Sequence, residues 1–323
     1  MKMLLIISSV VLILGILILL TAYVCYRLVF FASRKIEIPT EEYPIPPGKI
    51  YEPFRDTMVQ WMKETREFPF EEVSVTSFDG LKLCGKYYEY APGAPLEIMF
   101  HGYRGSAERD LCGGVQRCHA IGRNALIVDQ RTSCKSEGTV ISFGVNESRD
   151  CQTWIDFAIK RFGDDVKIVL CGISMGAATV LMAAGRTLPK NVVGVLADCG
   201  FSSAREIIIK CANEIHCPGK FLYPFIKLGA KLYGRFDLDE YSPKEAMKTC
   251  QVPVIFIHGD TDVFVPCEMS QINYDACVAP KRFVKVPKAG HGLSYLVDSE
   301  GYLKVLAEFF TEHGLPTKVV EPR

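Results

Sequence analysis

A chain of 323 residues, 49% of them hydrophobic, with 37 basic and 37 acidic residues and no formal net charge, is long enough for one large α/β domain plus a short appendage. Balanced charge without a basic cluster argues against nucleic acid as a partner. The thirteen cysteines do not imply a disulfide framework, because a domain of this size has its own core. Neither Cys112 with Cys118 nor Cys211 with Cys217 has the two-residue spacing of a zinc knuckle, so no metal and no cofactor is expected; a disulfide among the loop cysteines stays open for an external domain.

Met3 to Tyr26 contains no charged residue. As a helix it would span roughly 36 Å, enough to cross a bilayer core with some tilt. A cleaved signal has an apolar core of only about 7–15 residues and a small-residue cleavage site. Thr21 to Cys25 is a poor match to such a site, so the sequence predicts an uncleaved single-pass anchor over residues 1–31, with a cleaved signal as the alternative. Lys2 flanks one end, and Arg27, Arg34 and Lys35 flank the other. Positive-inside counting then leans toward a cytoplasmic domain.

Residues 32–70 read as a tether followed by a helix. Pro39, Pro44, Pro46 and Pro47 stiffen the tether. In Pro53 to Glu67 the residues Phe54, Met58, Trp61 and Met62 share one face, which predicts packing on the domain. Val73 to Phe78 alternates, Asp79-Gly80 turns the chain, and Leu81 to Tyr90 completes a hairpin. Leu96–Phe100 and Ala125–Val128 are short buried strands, with a helix predicted over Ala107–Ile121 between them. A helix over Gln152–Phe162 leads to a strand over Val166–Cys171 and a helix over Ala177–Ala184. Further strands follow at Val192–Ala197, Val252–Gly259 and Arg282–Val286. Such alternation predicts a mainly parallel sheet of about eight strands, covered by helices on both faces. Residues 203–250 break the rhythm with helical, aromatic-rich spacing, and 315–323 form a short tail.

Gly172-Ile173-Ser174-Met175-Gly176 sits between a strand and a helix. That context makes Gly-x-Ser-x-Gly a nucleophile elbow, in which residues without a β-carbon let strand and helix pass closely. A serine hydroxyl needs a base, and the base needs an orienting carboxylate. Asp260-Thr261-Asp262 follows one predicted strand, and Gly290-His291-Gly292 follows the last. In a parallel sheet these strand ends share an edge, so distant residues converge.

With His101-Gly102-Tyr103-Arg104-Gly105-Ser106, His258-Gly259-Asp260-Thr261-Asp262 and Gly290-His291-Gly292 in order around the elbow, residues 71–314 resemble the α/β-hydrolase superfamily. The run from Asp129-Gln130-Arg131 through Ser136-Glu137-Gly138 to Asp150 is similar to membrane-anchored bacterial serine hydrolases with a serine aminopeptidase-like domain. Arg131 departs from the usual continuation there, since Thr132-Ser133-Cys134 follow. The resemblance implies an α/β-hydrolase fold with a helical cap at about 203–250, and it pulls weakly toward an external domain. Among the acidic candidates it selects Asp262 over Asp260, with Asp198 as a further possibility. It implies a triad of Ser174, His291 and Asp262, with the backbone N–H groups of Tyr103 and Met175 as oxyanion donors. His101 and His258 read as structural. The expected chemistry is cleavage of a carboxylic ester or thioester through an acyl-enzyme, on a small or lipid-like acyl substrate. Aminopeptidase or amidase action by the same residues and a non-catalytic tethered scaffold are the alternatives.

Overall fold

The computed structural model describes residues 2–32 and 42–319; the expected tether proline at position 39 lies outside them. Eight strands form one sheet in the order β1-β2-β4-β3-β5-β6-β7-β8. They are β1 (Glu71–Thr76), β2 (Lys82–Tyr88), β3 (Leu96–Phe100), β4 (Asn124–Asp129), β5 (Ile168–Ile173), β6 (Val192–Asp198), β7 (Val254–Gly259) and β8 (Lys281–Val286). β2 pairs antiparallel with β1 and β4, and every pairing from β4 to β8 is parallel. This is the arrangement that the resemblance implies. β3, β5 and β7 are buried almost end to end, as strands covered on both faces must be, and are apolar except for Glu97 in β3 and His258 in β7.

One face of the sheet packs a core containing Trp154, Ile155, Val180 and Leu181. Those residues come from α5 (Glu147–Phe162) and α6 (Met175–Ala184). The opposite face packs Val115, Cys118, Leu306, Phe309 and Phe310.

The single helix expected over 107–121 is two, α3 (Ala107–Asp110) and α4 (Gly114–Ala120), broken at Gly113. Gly113 has φ +79°, and a β-carbon there would lie 2.6 Å from Trp61 Cζ3. The break is thus where α2 (Arg55–Glu67) presses its indole onto the domain. Met58 and Met62 of α2 are buried, so its apolar face packs as its spacing predicts.

The insertion after β6 holds α7 (Ala204–Glu214), α8 (Gly219–Gly229), a π-helical turn (Ala230–Gly234) and α9 (Pro243–Met247). Toward the C-terminus lie α10 (Cys267–Ala276), α11 (Ser294–Val297) and α12 (Ser299–Glu312).

α1 (Lys2–Val29) is the one helix among the described residues long and apolar enough to cross a membrane. A signal sequence at an N-terminus has the same character. Its first two thirds are exposed, but its C-terminal end is not. Ala22, Tyr26 and Phe30 are buried against the insertion, where Gly229 lets α8 approach and the Tyr233 hydroxyl donates to the Leu19 carbonyl at 3.2 Å. Beyond the helix, Ala32 N–H donates to Thr139 O and Ile141 N–H to Phe30 O.

Candidate active site

At the end of β5 the chain turns through Ser174 with φ 56° and ψ −118°, a conformation that costs a non-glycine residue about 1–3 kcal/mol. The turn persists because its surroundings fix it. Ser174 N–H donates to Asp198 O at 2.9 Å. A β-carbon on Gly176 would stand 2.5 Å from the Phe100 carbonyl carbon, and one on Gly172 would stand 2.5 Å from Ala177 N. No larger residue allows α6, β3 and β5 to meet this closely.

Ser174 Oγ lies 2.9 Å from His291 Nε2, and His291 Nδ1 lies 2.7 Å from Asp262 Oδ2. All three residues are more than nine-tenths buried. Asp262 Oδ1 accepts from the N–H groups of Phe264 and Val265, each at 2.9 Å, so the carboxylate is aimed by its own loop. His258 Nε2 lies 3.1 Å from Asp262 Oδ2 and 2.8 Å from Val265 O. Both neighbours are acceptors, which requires a hydrogen on that nitrogen. Burial works to raise the Asp262 pKa. Hydrogen bonds from His258 and His291, the attraction of His291 and the Val265 N–H outweigh it, and the carboxyl is held well below the usual range.

The other acidic candidates lie elsewhere in the bonding pattern. Asp260 accepts from Lys288 N–H at 2.6 Å on an exposed turn. Asp198 accepts from the Ser294 and Tyr302 hydroxyls, each at 3.0 Å, and burial raises its pKa. His101 accepts from Gln130 N–H at Nε2, which leaves Nδ1 to donate to Gly102 O at 2.8 Å. It therefore braces the loop that carries Tyr103. Arg131 is buried and binds Asp150 through Nε and Nη2, each at 2.7 Å, with Asp79 on its remaining side. Its departure from the familiar pattern is absorbed by this ion pair.

Gly102 stands beside the nucleophile position, since a β-carbon there would come 3.9 Å from Ser174 Oγ. The next N–H, that of Tyr103, has no partner among the described residues. The Met175 N–H opens α6, where first-turn donors lack helical acceptors. Both N–H groups belong to residues next to this position, Tyr103 following Gly102 and Met175 following Ser174.

The loop is held by groups that the sequence did not single out. Asp110 at the end of α3 accepts from Gly102 N–H at 3.1 Å and from Arg109 Nε at 2.6 Å. The Tyr103 hydroxyl donates to Val29 O at 2.6 Å and accepts from Arg104 Nε at 2.8 Å. Arg104 Nη2 donates to Leu28 O and Phe31 O, each at 3.0 Å. The loop at Tyr103 and Arg104 thus caps the C-terminal end of α1, whose last carbonyls have no helical donors.

A cavity of about 550 Å³ opens from Ser174 and His291. Its outer wall is Pro46, Ile50, Tyr51, Met58 and Trp61, while no residue of the 203–250 insertion lines it. The helical cap that the resemblance implies at about 203–250 therefore contributes no wall to this cavity. Its aromatic residues Tyr223 and Phe236 pack with Tyr26, Phe30, Phe143 and Phe201, and residues from Pro46 to Trp61 line the cavity instead. Composition marked both segments as apolar but could not say which one folds over the strand ends.

All thirteen cysteines are free thiols. Among the described residues one group of metal-ligating side chains converges, Cys199 with Asp262 and His291. It shares two members with the hydrogen-bonded chain above, and burial pushes the Cys199 thiol up.

Residues 142–314 match the sequence model of the prolyl oligopeptidase family. The Bacillus subtilis protein YqkD is 28% identical over 190 residues, which are 58% of this chain and 62% of that protein. The Schizosaccharomyces pombe protein bem46 is 26% identical over 226 residues, 69% of each chain. Among solved structures, the Pyrococcus furiosus esterase Pf2001 superimposes with a TM-score of 0.63 at 20% identity, covering 84% of this chain and 97% of that one. The Pyrococcus horikoshii acylaminoacyl peptidase gives 0.55 at 18% identity, covering 79% of this chain and 43% of that one. At these identities the two structures show the fold alone.

Proposed function

The chain belongs to the prolyl oligopeptidase family and is a serine hydrolase of the α/β-hydrolase type; from that premise we propose that it cleaves carboxylic esters or thioesters through an acyl-enzyme formed on Ser174. In this reading His291 Nε2 takes the Ser174 proton as Oγ attacks the carbonyl carbon. Asp262 keeps the other imidazole hydrogen on Nδ1 and stabilises the imidazolium. The Tyr103 and Met175 N–H groups receive the oxyanion. Collapse of the intermediate breaks the acyl–oxygen or acyl–sulfur bond, and His291 returns the proton to the leaving alcohol or thiol. Water, deprotonated by His291, then releases the acid and regenerates Ser174.

The observation that carries the proposal is the unbroken chain of contacts from Ser174 Oγ through His291 to Asp262, at 2.9 and 2.7 Å. An acyl chain rather than a peptide suits the cavity. An aminopeptidase needs an acidic or carbonyl-rich subsite for the substrate ammonium, and both acids in the cavity wall are already engaged, Asp110 by Arg109 and Gly102, and Asp198 by Ser294 and Tyr302. We further propose that α1 is a single-pass anchor and that residues 71–314 form the catalytic domain. The length and apolarity of the helix support this.

The test is hydrolysis of p-nitrophenyl octanoate by the full chain in detergent, together with labelling by a fluorophosphonate. Ser174→Ala is expected to abolish both. Turnover or labelling that survives the substitution removes Ser174 from the mechanism.

A further inference from the structure

The inner wall of the cavity holds a charge that the reaction does not use. The buried residues Met99, Gly114, Arg117, Cys171 and Tyr302 line it. Arg117 is 4% exposed. Its Nη2 binds Glu97 and sits 3.4 Å from both Met99 Sδ and Cys171 Sγ, while its Nη1 is buried with no hydrogen-bond partner. A buried donor left unmade costs about 1–3 kcal/mol, and more when it is charged.

The charge count sharpens the point. Glu97 is fully buried and also binds Arg123 Nη1 at 2.9 Å, so one carboxylate serves two guanidinium groups. The arginines hold that carboxylate ionised, and the cluster keeps one uncompensated positive charge. The other groups facing Arg117 do not cancel it. Burial keeps the thiols of Cys118 and Cys171 protonated, and the Tyr302 ring lies 6.0 Å away with its hydroxyl already donated to Asp198. Asp198 is the nearest further acid along that path, and two hydroxyls hold it. Asp110 is paired with Arg109.

The position fixes the length of a matching ligand. Arg117 touches Cys171 on β5, and Ser174 stands in the turn three residues further on, so a backbone run of about 10 Å separates the residue that Arg117 contacts from the nucleophile position. That is the reach of a medium-length acyl chain whose middle crosses apolar wall.

We propose that Arg117 is the far anchor of the acyl pocket and that the preferred substrates are esters of medium-chain acyl groups ending in a carboxylate, whose charge the cavity-lining guanidinium receives. The proposal rests on the Ser174 reading and adds a substrate class to it. The acyl carboxylate supplies the negative charge that the Glu97 cluster lacks. A neutral chain end leaves that deficit in place.

The experiment compares kcat/KM of the full chain for the mono-p-nitrophenyl ester of suberic acid with that for its methyl-capped, neutral counterpart. The wild-type protein is expected to favour the free acid by at least about tenfold, a discrimination of about 1.4 kcal/mol. Arg117→Met is expected to reverse the order, and Arg117→Lys to retain part of it. Equal rates on the two esters in the wild-type protein, or a preference that survives Arg117→Met, overturns the proposal while leaving Ser174 untouched. Failure to cleave either ester sinks the hydrolase reading itself. Should Arg117→Met not fold, competitive inhibition of the wild-type protein decides. Suberate binding at least tenfold tighter than octanoate supports the anchor, and equal or weaker binding refutes it.

Discussion

Replacing Asp262 by Asn changes almost no volume and removes one charge, so it isolates what the carboxylate does to His291. The Asn carbonyl oxygen is expected to stay where Oδ1 now accepts the Phe264 and Val265 N–H groups, because those donors are fixed by the loop. The amide nitrogen then replaces Oδ2 and faces His258 Nε2 at 3.1 Å and His291 Nδ1 at 2.7 Å. His258 Nε2 already carries a hydrogen for Val265 O, so two donors meet there. His291 can relieve its own clash only by moving its hydrogen from Nδ1 to Nε2. That hydrogen then points at Ser174 Oγ, and the imidazole can no longer take the serine proton. In serine hydrolases the wrong tautomer costs about 10⁴ in kcat, or roughly 5 kcal/mol of barrier. Steady-state hydrolysis of p-nitrophenyl octanoate by the full chain reads this directly, and the rate of fluorophosphonate labelling should fall in parallel. Asp198→Asn is the companion measurement. Asp198 touches Ser294 and Tyr302, not His291, so its loss should cost less than tenfold. An Asp262→Asn protein keeping more than a tenth of wild-type kcat, or an Asp198→Asn protein losing as much as Asp262→Asn, would refute the reasoning.

Two further outcomes follow from the same contacts. Arg104→Ala deletes two donors to the carbonyl end of α1 and one to the Tyr103 hydroxyl. With hydrogen bonds to charged groups worth about 1.5–3 kcal/mol, the loop is expected to loosen enough to cut kcat about tenfold with little change in KM, and a change confined to KM would argue against it. The Asp262 pKa is depressed in the folded state, so its stabilising contribution is complete above the unfolded value of about 3.9 and disappears as pH falls further. Urea titrations between pH 3 and 7 should therefore show a smaller acid-limb loss for Asp262→Asn than for the wild-type protein, and parallel curves would contradict the shift.

The turn at Ser174 and the strand-end loops carrying Asp262 and His291 were legible because each is local. A strand, its terminating turn and the next helix are written within a dozen residues, and the parallel topology then brings the strand ends together. Asp262 was chosen over Asp260 by resemblance, and the reason is visible in the backbone. Asp262 faces the N–H groups two and three residues ahead, whereas Asp260 turns outward to Lys288. What the sequence hid is long-range. Nothing near Asp110 in the chain says that its carboxylate holds Gly102. The helix read over 107–121 concealed a break, because the reason for it, Trp61, lies some fifty residues upstream. The resemblance implied a cap at about 203–250, yet Tyr223 and Phe236 there pack with Tyr26 and Phe30, and residues at 46–61 line the cavity. Arg117 read as an ordinary helix residue; only Glu97, Arg123 and Cys171 around it make its charge unusual.

The N-terminal segment therefore does more than precede the sheet. Its helix ends in carbonyls that Tyr103 and Arg104 satisfy, so the loop that carries the proposed Tyr103 oxyanion donor and the end of α1 are each completed by the other. The segment after it pairs with residues 139–141, and the next stretch, from Pro46 to Trp61, closes the cavity. Each contact is modest, at about 1 kcal/mol for a neutral hydrogen bond. They act on one short loop whose donor geometry matters steeply, since a lost oxyanion donor costs about 3–4 kcal/mol of barrier in other hydrolases. A passive tether would have no reason to place three of its carbonyls on the two residues beside Gly102. The coupling explains why Tyr103 keeps a hydroxyl that the chemistry itself does not require, and why an exposed cation follows it in a strained backbone, Arg104 with φ 51°.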